Sequence, residues 1–153
     1  MTLNQKIILH SENETTALAV KIGNILKPAD IILLYGEIGA GKSFLCRALL
    51  HHIFSPELEV PSPTFTLVQT YEGDEMEYWH CDLYRLNNPE EAIELGLDEA
   101  FETAICLIEW PDRLGSLIPK RALSIFMKAE DGFHSATLVG NEAWQNRLGQ
   151  SLA

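Results

Sequence analysis

Basic residues are scarce in this chain: 11 Lys and Arg stand against 22 Asp and Glu, a formal net charge of −11. That balance argues against non-specific adhesion to nucleic acid or anionic membrane, both of which require a basic surface. Long apolar runs are missing too. The longest, such as Ile31 to Tyr35 and Ile105 to Ile108, fall far short of the ~20 residues that a membrane span needs. Met1 to Lys6 has no charged-then-apolar character, so no secretory leader is expected. Cysteines number three, Cys46, Cys81 and Cys106, spaced too widely for a zinc framework, and they read as buried thiols of a reducing compartment. What is left is an acidic cytoplasmic chain. At 153 residues it has the length of one domain and enough surface to bury a core without staples.

Ile7 to Leu9 reads as a short strand. Ser11 and Glu14 fit a capping box for a helix carrying Leu18, Ile22, Ile25 and Leu26, which Pro28 is expected to stop. Ile31 to Tyr35 is the continuous apolar run of a strand buried on both faces. Glycine-rich residues then lead into a second helix with Leu45, Ala48, Leu49 and Ile53 on one face, ending near Pro56. Strands are expected at Leu67 to Glu72, Glu75 to Tyr84 and Ala104 to Trp110, with a short helix over Asn87 to Leu95 stopped by Gly96. Ala122 to Ala129 and His134 to Val139 read as a hairpin through Asp131-Gly132, and Asn141 caps a last helix. The order predicts an α/β fold: a single-domain, three-layer mixed sheet of the P-loop NTPase type with antiparallel additions.

Gly36-Glu37-Ile38-Gly39-Ala40-Gly41-Lys42-Ser43 matches G-x-x-x-x-G-K-[ST] in full, between a buried strand and an amphipathic helix, the context that such a motif requires. The residue types follow from the task. A loop wrapping a phosphate turns backbone N–H groups inward through dihedrals that glycine adopts most readily. The helix that opens at Lys42 and continues through Phe44 aims its positive end at the same anion. Lys42 then neutralises phosphate, and the Ser43 hydroxyl ligates Mg²⁺.

A metal-holding acid is expected at the end of a neighbouring strand. Ala104 to Glu109 delivers one and Tyr78 to Asp82 another. Glu109 is favoured for the metal and Asp82 for orienting water, although the two roles are exchangeable. Thr64, in the loop Val60 to Thr66, sits where a switch segment would meet Mg²⁺ or the γ-phosphate. The absence of an N-K-x-D guanine signature favours ATP and ADP over guanine nucleotides. Ser11 and Phe133 are the candidates for contact with adenine, and Trp110 for the rim of the site. The five histidines show no ligand spacing.

Gly36 to Ser43, Pro63-Thr64-Phe65-Thr66-Leu67, His80-Cys81-Asp82-Leu83-Tyr84-Arg85-Leu86 and Ile108-Glu109-Trp110-Pro111, in this order, resemble the TsaE (YjeE) family of small bacterial P-loop ATPases. The H-x-D-L-Y-R and E-W-P blocks carry the specificity of the resemblance. It implies a role in making threonylcarbamoyladenosine beside the tRNA anticodon, with the TsaB–TsaD pair as partner and tRNA contacted only indirectly. It also implies that Lys42 and Ser43 hold phosphate and magnesium, that Thr64 belongs to a switch-like loop, and that Asp82 and Glu109 are functional acids with Trp110 beside them.

The residues favour a slow ATPase, because no arginine besides Arg85 is placed to act as a finger on the γ-phosphate. A small-molecule kinase is the alternative, disfavoured by the lack of an arginine-rich lid after Glu109. A nucleotide-state binding module without essential hydrolysis is the third reading.

Overall fold

Ile31–Tyr35 (β2) is the centre of the molecule, and its side chains explain the layering. Ile32 and Leu34 belong to one buried cluster, Ile31 and Leu33 to the other, so the strand is covered on both faces. Ile105–Glu109 (β5) divides in the same way, with Ile105 and Leu107 on one side and Cys106 and Ile108 on the other. This is the two-sided burial expected of strands inside a parallel sheet. A computed structural model describes residues 1–152.

The remaining strands are Leu3–Leu9 (β1), Val68–Glu72 (β3), Glu77–Asp82 (β4), Leu123–Ala129 (β6) and His134–Gly140 (β7). The seven form one sheet in the order β1-β7-β6-β2-β5-β4-β3. β6, β2, β5 and β4 pair in parallel, while β3 and the β7–β1 edge add antiparallel strands. Helices Glu12–Gly23 (α1), Lys42–Ile53 (α2) and Glu142–Leu148 (α5) supply Leu18, Ile22, Leu45, Leu49, Trp144 and Leu148 to one face. Glu90–Glu94 (α3), Leu97–Thr103 (α4) and a 3₁₀ segment at Pro111–Leu117 cover the other. Three layers and a mixed sheet result, as the element order predicts.

Several boundaries differ from the sequence reading. β1 starts at Leu3, not Ile7; its polar Asn4, Gln5 and Lys6 are held by pairing with β7 and carry no apolar signal. α1 ends at Gly23, before Pro28, where the Asn24 N–H closes on the Val20 carbonyl. At the other end of α1, Ser11 Oγ accepts from Glu14 N at 3.2 Å, but the Glu14 carboxylate reaches back to His10 N rather than to Ser11 N. β4 stops at Asp82, two residues before Tyr84. Gly96 stops α3 as expected. With φ +86° it joins α3 to a further helix, α4. All three cysteines are buried free thiols. Among the described residues, no helix is long and apolar enough to cross a membrane.

Candidate functional site

The glycine-rich turn leaves the C-terminal end of β2 and enters α2, at the sheet edge where open α/β folds hold their ligands. Gly36 has φ +147°, and a Cβ there would lie 2.4 Å from the Met127 carbonyl oxygen of β6, so only glycine lets the loop pass. Gly39 and Gly41 also take positive φ, +86° and +102°. Gly41 precedes α2 and, among the described residues, no side chain caps that helix. Its first amides are therefore left for an anion.

Lys42 is 5% exposed. Its Nζ donates to the Gly36 carbonyl and lies 3.5 Å from the centroid of the Trp110 ring. Burial pulls the Lys42 ammonium below its ordinary pKa, while Glu109 and Asp82 pull it back up. Trp110 takes a left-handed conformation, φ +58° and ψ +51°, directly before Pro111. Such a backbone costs of the order of 1–3 kcal/mol in a non-glycine residue and clusters at functional sites. It turns the indole over the lysine instead of along the strand.

Asp82 and Glu109 end neighbouring parallel strands and are register partners. Both are buried. Glu109 Oε1 accepts from Ser43 Oγ at 2.9 Å, and Oε2 lies 2.7 Å from His80 Nε2. Asp82 Oδ1 accepts from Tyr84 N at 3.0 Å and Oδ2 from Thr64 Oγ1 at 3.4 Å. Thr64 also shares a 2.7 Å hydrogen bond with the Ser62 hydroxyl, and its bond to Asp82 ties the predicted switch loop to that acid.

Two clefts flank the turn. One, of about 460 Å³, is lined by Lys42, Ser43, Thr64, Asp82, Glu109 and Trp110. The other, of about 540 Å³, is lined by Ser11, Thr15, Ala40, Gly41, Phe44 and Phe133. Gly41 and Phe44 border both. Gly39, Gly41, Lys42, Ser43 and the predicted metal residues thus converge on one side, whereas Ala40 and the two residues predicted to meet adenine line the other. Gly36 anchors the turn from beneath.

Three features escaped the sequence reading. His80 reaches Glu109; the period-2 alternation of His80-Cys81-Asp82 placed both polar residues on one strand face and was the available signal. Tyr84 packs at a tilt of 54° against Trp110 with ring centroids 4.8 Å apart. Cys46, His80 and Glu109 hold donor atoms within 4.8 Å of one another. There, burial pushes the Cys46 thiol well up, which keeps its proton on and makes it a poor ligand.

The model of the family described as "Threonylcarbamoyl adenosine biosynthesis protein TsaE" matches residues 9–136. A TsaE protein of Rickettsia bellii is 40% identical over 140 residues, spanning 92% of this chain and 97% of the relative. The TsaE protein of Bacillus subtilis is 34% identical over 84% of this chain and 82% of its own. The crystal structure of Bacillus subtilis YdiB superposes with a TM-score of 0.80 at 27% identity, covering 99% of this chain and 95% of that one. The chain belongs to the TsaE family of tRNA threonylcarbamoyladenosine biosynthesis proteins.

Proposed function

We propose that this chain is a slow, Mg²⁺-dependent ATPase that serves the TsaB–TsaD pair in forming threonylcarbamoyladenosine on tRNA. The observation that carries the reading is the pair of clefts on either side of a complete phosphate loop. Together they have the volume of a nucleotide site, with Lys42, Ser43, Asp82 and Glu109 lining one cleft and Ser11 and Phe133 the other. The base would lie between Ser11 and Phe133, the polyphosphate over Gly39 to Ser43, and the terminal phosphate toward Asp82 and Glu109.

The oxygen donors of Ser43, Thr64, Asp82 and Glu109 suit a hard cation such as Mg²⁺, which takes oxygen ligands. Ser43 and Glu109 would hold it, and a bound Mg²⁺ would offset charge on the phosphate oxygens. Lys42 would exchange the Gly36 carbonyl and the Trp110 ring for phosphate. Asp82, held by Tyr84 N and Thr64, is placed to orient the attacking water.

Slow turnover by the isolated chain is expected because Arg85, which lines the acid-side cleft, stacks its guanidinium 4.6 Å from the centroid of Phe65. A finger of this kind is worth about 10³–10⁵ in rate. Ile38, which lines that cleft, and Phe65, which covers the Arg85 guanidinium, are each 81% exposed, apolar surface of the sort that a partner covers. The test is ATP hydrolysis by the chain alone and with TsaB–TsaD, with retention on immobilised TsaB–TsaD compared in ADP and in a non-hydrolysable ATP analogue. A rise in turnover on adding the pair is expected. Ordinary enzyme rates from the isolated chain would contradict the partner-completed site.

A further inference from the structure

β4 places an imidazole in the core. His80 is 1% exposed, opposite Leu107 of β5 in register, on the strand face that also carries Asp82. Its Nε2 lies 2.7 Å from Glu109 Oε2, while its Nδ1 is buried with no hydrogen-bond partner. Buried polar atoms are normally paired. An apolar side chain at this position would leave no such orphan, so the contact with Glu109 is what the imidazole adds.

The partner decides where the proton sits. An ionised carboxylate only accepts, so the contact requires hydrogen on Nε2. Glu109 is then gripped at both oxygens, Oε1 by Ser43 and Oε2 by His80. The two grips differ in permanence. The Ser43 hydroxyl is the one that would turn to the metal, whereas His80 comes from an interior strand packed on both sides.

We infer that His80 is a positioning residue: its Nε2–H locks the Glu109 carboxylate so that Oε1 stays aimed at Ser43 and the cleft when nucleotide and metal are bound. This rests on the ATPase reading above. Without the donor, Oε2 is an unpaired buried oxygen, and the carboxylate is free to swing toward the Lys42 ammonium, whose pKa already feels its charge.

The test compares His80→Leu, which removes the donor and keeps bulk, with His80→Gln, which offers an amide N–H from the same position. His80→Leu should lower kcat by about 10–100-fold with little change in KM for ATP, and should lower Mn²⁺ affinity of the ADP complex, read by electron paramagnetic resonance, by a similar factor. His80→Gln should recover most of both. In a Glu109→Gln background the leucine change should add nothing, because it acts through that carboxylate. In the wild-type chain without nucleotide, ¹⁵N NMR of the imidazole should show the proton on Nε2. A proton on Nδ1 in place of Nε2, wild-type Mn²⁺ affinity and kcat in His80→Leu, or an equal loss in the Glu109→Gln background would each overturn the inference. If the wild-type chain fails to hydrolyse ATP even with TsaB–TsaD present, the ATPase reading falls, and the NMR tautomer and the Mn²⁺ cycle still decide the role of His80.

Discussion

Alanine at Gly36 and alanine at Gly39 separate two costs that the phosphate loop combines. Both glycines have positive φ, +147° and +86°. A Cβ on Gly39 meets nothing within 4 Å, so Gly39→Ala carries only the dihedral cost, about 1–2 kcal/mol. A Cβ on Gly36 meets the Met127 carbonyl oxygen at 2.4 Å and its carbon at 3.3 Å. That carbonyl belongs to a strand paired on both sides, by β2 and β7, and has little room to yield. Dihedral strain of about 1–3 kcal/mol and an overlap of about 1–3 kcal/mol together give about 2–6 kcal/mol. In a domain of this size each kcal/mol moves Tm by about 2–4 °C, so Gly39→Ala should lose about 2–8 °C and Gly36→Ala clearly more. Urea unfolding followed by circular dichroism, with thermal scans alongside, measures both. Because the Gly36 carbonyl also anchors Lys42, Gly36→Ala should weaken nucleotide binding. An equal or smaller stability loss for Gly36→Ala than for Gly39→Ala would refute the claim that β6 dictates the glycine.

Two further outcomes follow from the site and the core. With Trp79 and Trp144 replaced by Phe, emission from Trp110 should change as nucleotide draws the Lys42 ammonium off its ring, and Lys42→Ala should abolish that response; an unchanged spectrum at saturating nucleotide would contradict the exchange. Burial pushes the Cys106 thiol up to about 12 from 9.0. Below pH 9 both folded and unfolded chains keep that proton, whereas between pH 9 and 12 the unfolded thiol ionises first and stability falls, by about 1.4 kcal/mol per pH unit. Between pH 8 and pH 10, Cys106→Ala should therefore lose about 1.4 kcal/mol less than wild type in urea unfolding; an identical loss would contradict the burial argument.

The sequence made the middle of the molecule readable because local chemistry and global position agree there. Ile31 to Tyr35 is apolar throughout since both faces are covered, and the glycines that follow are demanded by positive φ. The acids at the ends of β4 and β5 were legible as polar residues closing apolar strands, and the structure sets them side by side. Gly96 ends α3 as read, but α4 beyond it was missed because the same left-handed glycine begins the next helix, which has only two turns to show a period. The turn of Trp110 over Lys42 could not be read, since a residue before proline prefers extended backbone and positive φ is rare outside glycine. The first half of edge strand β1 was hidden for the opposite reason: pairing, not burial, holds its polar residues.

The central claim is that the amides of Gly39 to Ser43 and the Lys42 ammonium receive a nucleotide polyphosphate. Isothermal titration calorimetry of the wild-type chain and of Lys42→Ala with Mg·ATP tests it most directly. A saturable one-site heat is expected for the wild type, largely lost in Lys42→Ala while the far-ultraviolet circular dichroism stays the same. Heat no greater than dilution for the wild type, or equal binding by the folded variant, would contradict it.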